Sequence, residues 1–229
     1  MAEICVVKEQ LVQEVENDIR EFIKQQEELL FNEFDFQMQL AIYLRMTNKY
    51  DDVDSEYYMP TKNTDILEGY DWDSNMRVDI VVSRGNEYVP IELKYVTKKV
   101  VRDKERFGRL IKGMEILRDQ AAQDIRRYDF WKDVRRIELI KKNFPAVKNG
   151  FAVFLTNDLS YKKEPRPNTV CSPFSMSGER IIGGGVIDWN GNPAASRNHK
   201  SFRLEGGYKL LWDKTSMEDV QFDYTILKI

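Results

Sequence analysis

The sequence predicts an α/β (α+β) fold: a central sheet of four or more strands flanked by helices, with helices before it and a β extension after it. Three observations predict it. Two N-terminal stretches space their apolar residues as amphipathic helices do. Two short β-branched segments around a tight turn read as a hairpin. A continuous apolar run, residues 150–155, follows a long charged stretch. At 229 residues the chain can bury one substantial core, so a single domain spanning 1–229 is the expectation.

Between Val6 and Leu30 the residues Leu11, Val15, Ile19, Phe22, Ile23, Leu29 and Leu30 recur at helical spacing. Asn32 reads as the N-cap of a second helix, Glu33 to about Asn48, on which Glu33, Gln37 and Ala41 share a stripe. Glu56 to Met59 is the candidate first strand, and an acidic loop follows from Thr61 to Asn75. Its Asp65, Glu68, Asp71 and Asp73 lack the spacing of an EF-hand, so it reads as a solvated connection. After the hairpin, Asp103 to about Lys142 reads as helix, with Gly108 and Gly113 as interruptions. Residues 150–155 form the candidate fourth core strand. Pro165, Pro167, Pro173 and Pro193 then mark a long irregular excursion, in which glycines 183–185 read as a turn or bulge. Tyr208 to Trp212 and Gln221 to Ile229 read as closing strands, the last an edge.

The hairpin carries the chemistry. Its arms run from Met76 to Val82 and from Tyr88 to Tyr95, around Gly85-Asn86, a pair suited to a two-residue loop. With that loop Arg84 faces Glu87, and the same register sets Asp79 directly opposite Glu92 on one face. The strand period of two adds Lys94 to that face. Adjacent carboxylates repel unless a cation lies between them or one stays protonated. A divalent ion held by Asp79, Glu92 and the Leu93 backbone carbonyl solves this, and hard oxygen donors suit Mg²⁺ or Mn²⁺. Lys94 would hold or deprotonate an attacking water, or neutralise charge on a phosphate. The combination points to metal-assisted hydrolysis of a phosphodiester. The plainer alternative is a solvated sheet face on which each acid pairs with a nearby Lys or Arg; the apolar character of both arms argues for strands covered on both sides instead.

Val78-Asp79 followed by Ile91-Glu92-Leu93-Lys94 resembles the Asp…Glu-x-Lys signature of the PD-(D/E)XK nuclease superfamily, also called restriction-endonuclease-like. The resemblance covers about 33–157 and leaves 158–229 as an embellishment; Val78 stands where the family's pattern has proline. It implies a helix followed by a mixed sheet, with the signature on the second and third strands. It also implies an acid from the preceding helix, for which Glu33 is the candidate, with Gln37 as a positioning group. Some members carry a Gln and a Tyr on the helix after the third strand, which nominates Gln123 and Tyr128, although they are five residues apart here. Arg127 could grip phosphate with its fork of donors, or serve as a helix partner of Gln123 or Asp124.

Bulk properties bound the partners. Net charge is −3, but residues 1–75 hold 6 basic and 18 acidic side chains while residues 76–150 hold 19 and 11. The basic excess starts at the hairpin: Lys94, Lys98, Lys99, Arg102, Lys104, Arg106, Arg109 and Lys112 lie within nineteen residues. Lys98, Lys99 and Arg102 are therefore candidates for contacting a polyanion, nucleic acid with DNA favoured by the resemblance. No apolar run reaches membrane-spanning length, and residues 1–8 do not resemble a signal peptide. Cys5 and Cys171 have no metal-type spacing, which suits a reduced, cytoplasmic setting. His199 alone cannot build a histidine-based zinc site. The expectation is an Mg²⁺- or Mn²⁺-dependent endo- or exodeoxyribonuclease, as a single chain or a homodimer. The alternative is a non-catalytic module on the same fold that binds nucleic acid or a protein.

Overall fold

The structure is a computed structural model that describes residues 2–191 and 193–229; the side chains of residues 2–9, Cys5 among them, lie outside the described set. In chain order come α1 (Ala2–Gln25), α2 (Glu33–Met46), β1 (Asp52–Met59), β2 (Met76–Arg84), β3 (Glu87–Val96), β4 (Val100–Arg106), β5 (Arg109–Leu117) and α3 (Gln123–Asn143). They are followed by β6 (Phe151–Thr156), β7 (Ile182–Ile187), β8 (Phe202–Tyr208), β9 (Asp213–Met217) and β10 (Val220–Lys228). Among the described residues, six strands form one mixed sheet in the order β1-β2-β3-β6-β10-β9. Only β3 and β6 run parallel within it.

Alternation along the strands divides the core into two layers. Ile91, Leu93 and Tyr95 of β3 and Phe151, Val153 and Leu155 of β6 face α1 and α2, where Leu11, Val15, Ile19, Phe36 and Leu40 meet them. Ala152 and Phe154 face the other way, toward Tyr128, Phe130, Trp131 and Val134 of α3. Glu92 and Lys94 therefore lie on the α3 side of the sheet. Asn32 caps α2 by accepting from the Asp35 amide at 2.8 Å, and the Asp35 carboxylate returns the contact to the Phe31 amide at 2.8 Å. That cap fixes where Glu33 enters the sheet region. The first helix stops at Gln25, short of the expected Leu30; Leu29 and Leu30 are buried in the link to α2.

Three expectations are corrected. The stretch from Asp103 is not helical until Gln123: β4 and β5 form a separate antiparallel hairpin. Gly108 is its turn and not a helix break, with Phe107 and Gly108 both at positive φ (53° and 73°). Charged residues on both faces, Arg102, Lys104 and Arg106 against Asp103 and Glu105, left no hydrophobic alternation to reveal the strand period there. Secondly, β10 is no edge, since it lies between β6 and β9. Thirdly, residues 209–212 are not a strand; Tyr208 ends β8 and pairing resumes at Asp213. The irregular excursion also contains the β7–β8 hairpin, with a register shift between Gly183 and Gly185. No helix among the described residues is long and apolar enough to cross a membrane.

Candidate active site

The tight turn sets the register read from sequence: Arg84 pairs with Glu87 and Ile80 with Ile91. The ladder stops there. Asp79 does not pair across to Glu92, because the two strands part and side chains take over their backbone groups. The Asp79 carboxylate accepts from the Leu93 amide at 2.6 Å, and Glu33 Oε2 accepts from the Tyr95 amide at 3.0 Å. Gln37 Nε2 donates to the Asp79 carbonyl at 2.7 Å and to Glu56 Oε1 at 2.9 Å. Lys94 Nζ donates to the Leu93 carbonyl at 3.0 Å. The other edge of β3 remains paired to β6 from Ile91 to Val96, so β3 stays in the sheet while its β2 side opens.

The fork collects charge. Glu92, only 2% exposed, places Oε1 3.2 Å from Arg136 Nη2. Arg136 Nη1 meets Asp133 Oδ1 at 2.9 Å, and Asp133 Oδ2 lies 2.8 Å from Lys94 Nζ. Lys94 Nζ stands 3.8 Å from Glu33 Oε1. Arg136 also donates to the Arg77 carbonyl. Four carboxylates, Glu33, Asp79, Glu92 and Asp133, thus surround two cations, leaving a surplus of two negative charges when all are ionised.

Burial and crowding shape their protonation. Burial pushes Asp79 up to about 6; Asp133 and Glu33 add to the rise, while Lys94 and the Leu93 amide oppose it. Burial raises Glu92 well above the usual carboxylate range, more than the Arg136 guanidinium can offset. Asp133 is equally buried but moves down, held ionised by Lys94 and Arg136. A shared proton therefore belongs on Glu92 and not on Asp133. Burial would lower Lys94, yet Asp133, Glu33, Asp79 and Glu92 together raise it. Lys94 is consequently an ammonium at neutral pH. In that state it is suited to stabilising negative charge, one of the roles read from sequence.

The structure brings Glu33, Gln37, Asp79, Glu92 and Lys94 together, and the Leu93 carbonyl with them. It does not bring the rest. Arg127 is 4% exposed, donates to the carbonyls of Tyr161 (3.0 Å) and Ser160 (2.9 Å), and lies 4.8 Å over the Tyr161 ring. Tyr128 is 1% exposed, donates to the Lys200 carbonyl at 2.8 Å, and packs among Phe174, Trp189, His199 and Phe202. Both hold the C-terminal segment on the core, so their reading as substrate contacts is corrected. Gln123 donates to Asp158 at 2.6 Å, which occupies its amide. Lys98 pairs with Asp119 at 3.1 Å and Asp158 at 3.6 Å, and Lys99 with Glu115 at 2.9 Å. Arg102 is exposed on β4.

Asp133 and Arg136 were missed. With Asp129 they form a charged i, i+4, i+7 stripe on a helix whose other inward residues are Phe130, Trp131, Val134 and Ile137. Charges at those spacings beside an apolar face were the available signal. Basic residues gather on the β4–β5 hairpin in the same geometric way. The pairs Arg106–Arg109, Lys104–Ile111 and Arg102–Met114 put four cations on one face, and Asp103, Glu105 and Glu115 on the other. That basic face leans on the body: Lys104 pairs with Glu218, and Arg106 lies 5.2 Å over the Phe31 ring, two residues before Glu33.

Among the described residues, no group of three or more His, Cys, Asp or Glu is arranged to hold a metal ion. A hard ion that keeps several waters needs fewer protein donors, and one or two carboxylates suffice. Glu92 Oε1 is buried and makes no hydrogen bond, although Arg136 Nη2 stands 3.2 Å away as its charge partner. Asp79, Glu92 and the Leu93 carbonyl are hard oxygen donors of the kind a divalent ion takes, and here they face the Leu93 amide, Arg136 and Lys94 instead. Compared with known proteins, the chain matches no protein-family model, no curated protein and no solved structure.

Proposed function

We propose that this chain is a metal-dependent nuclease that hydrolyses phosphodiester bonds, DNA in preference to RNA, on a restriction-endonuclease-like arrangement of helix, sheet and fork. The observation that carries this reading is the cluster at the β2–β3 fork. There the residues of the Asp…Glu-x-Lys pattern, joined by Glu33, hold more negative charge than Lys94 and Arg136 neutralise. Asp79, Glu92 and the Leu93 carbonyl would hold Mg²⁺ or Mn²⁺, which when bound supplies Lewis-acid charge for the phosphate and lowers the pKa of water. Lys94, kept protonated by four carboxylates, offers an ammonium to the charge that grows on the phosphate. Asp133 fixes the Lys94 ammonium and Arg136 fixes the Glu92 carboxylate. Gln37 holds the Asp79 backbone, so the acid cannot retreat from the fork. Arg102 and Arg109, the exposed cations of the β4–β5 hairpin, mark the path by which a polyanion would approach. The same reading places the chain in a reduced cytoplasmic setting, where Cys171 is a free, buried thiol.

The test is cleavage of plasmid and single-stranded DNA with Mg²⁺ or Mn²⁺, comparing wild type, Asp79→Ala and Lys94→Ala, with circular dichroism to verify folding. Loss of either group should slow cutting by about 10²-fold or more. One observation favours the second reading, a non-catalytic binding module: Glu92 and Asp133 already have cationic partners in Arg136 and Lys94. DNA binding without mutant-sensitive cutting in either metal would establish the module and end the nuclease proposal.

A further inference from the structure

On α2 the residues Phe34, Met38, Ile42 and Met46 recur every four positions and are 66%, 44%, 50% and 74% exposed. Residues four apart stack on one helix face, so these four form one apolar stripe about 18 Å long. The opposite face, Phe36, Leu40, Ala41 and Leu44, is already filled by the core. A helix apolar on two sides needs two partners, and the fold supplies one.

We propose that the second partner is another copy of this chain, docked α2 against α2 in antiparallel fashion about a two-fold axis. A two-fold interface must be complementary to itself. The stripe meets that condition, because it is symmetric about Leu40: Phe34 of one copy falls opposite Met46 of the other, and Met38 opposite Ile42. The same register brings the acidic first turn of one helix to the level of the basic last turn of its partner, a complementarity of helix ends; Asp35 and Arg45 themselves keep their bonds to Phe31, Gln39 and Val53. Antiparallel helix dipoles favour the same arrangement. Nothing requires such symmetry of a surface that receives an unrelated protein. The stripe offers on the order of 100 Å² per side chain, or roughly 800 Å² across the pair before the rim is added. That is below the area of a standard stable interface, so the dimer is weak and reversible. The proposal is independent of what the fork does.

Sedimentation velocity of the full chain from about 1 to several hundred micromolar tests it. The expected result is a mass rising from one chain toward two. Ile42→Glu should raise the dissociation constant at least ten-fold with unchanged circular dichroism, while Leu211→Glu, at a 75% exposed apolar residue off this helix, should leave it unchanged. In a Cys5→Ser background, a mixture of Phe34→Cys and Met46→Cys chains should form crossed disulfides, and neither should couple with itself. A monomer at every concentration overturns the proposal, as does a dimer indifferent to Ile42→Glu or a Phe34→Cys chain that couples with itself.

Discussion

Two stretches of α3 sit barely two turns apart and use their polar groups in opposite ways. At the helix start, Arg127 and Tyr128 donate to backbone carbonyls of Ser160, Tyr161 and Lys200. Farther along, Asp133 and Arg136 are engaged with other ionisable side chains, Lys94 and Glu92. Both stretches are buried, but in the second Glu92 Oε1, Asp133 Oδ2 and Arg136 Nε make no hydrogen bond. The first is neutral in outcome, since a carbonyl cannot change its charge. The second has a charge balance that shifts with every proton or ion that arrives. This difference separates a structural anchor from a site.

The largest test of the contrast removes one guanidinium from each stretch. Arg136→Met leaves Glu92 buried without its cation and Asp133 with Lys94 alone, and should cost about 3–5 kcal/mol in urea unfolding. Adding Glu92→Gln should recover part of that loss. Arg127 gives its hydrogen bonds to the Ser160 and Tyr161 carbonyls, with Asp124 and Asp158 acting on it only through space, so Asp158→Asn should rescue Arg127→Met far less.

The next effect is set by pH. Asp79 has a folded-state value of about 6, above the usual 3.8. The fold therefore takes up a proton between those values, and its stability falls as pH rises through that window. The penalty is absent near pH 4 and complete above about pH 7. Without divalent ions, Asp79→Asn should raise Tm by about 5 °C at pH 8 and hardly at all at pH 4. Equal shifts at both pH values would mean that the fork does not hold Asp79 in an unfavourable charge state.

Smaller still, Tyr128→Phe should cost about 1 kcal/mol at any pH, because its phenol meets only the Lys200 carbonyl and the Trp72 indole. A pH-dependent cost would place it with the site after all. The smallest change is Phe107→Asn, which relieves a bulky residue at φ 53° in the β4–β5 turn and should raise Tm by about one or two degrees. Weaker DNA retention by that variant would join the hairpin to the site's function.

How much of this was legible in the sequence follows the same division. The Asn32 cap, the Gly85-Asn86 turn and the strand period carried α2, β2, β3 and the shared face of Asp79, Glu92 and Lys94, because each depends on local rules. The parting of β2 and β3 was not legible, since it depends on Gln37, Glu33 and Asp79 replacing ladder partners across three elements. Asp133 and Arg136 escaped because a charged stripe on a helix looks solvated until the sheet beneath it is known. The β4–β5 hairpin was mistaken for helix because Arg102, Lys104, Arg106 and Arg109 alternate with Asp103 and Glu105, so strand amphipathicity shows as a sign of charge and not as hydrophobicity.

The parted strands have one more consequence. The amide hydrogens of Leu93 and Tyr95 rest on the carboxylates of Asp79 and Glu33, acceptors whose basicity changes when they are titrated or ligated. In an NMR spectrum those two resonances would move with any event that recharges the fork, a proton, an ion or a phosphate alike. The centre of the sheet thus carries its own gauge of occupancy, with no label needed.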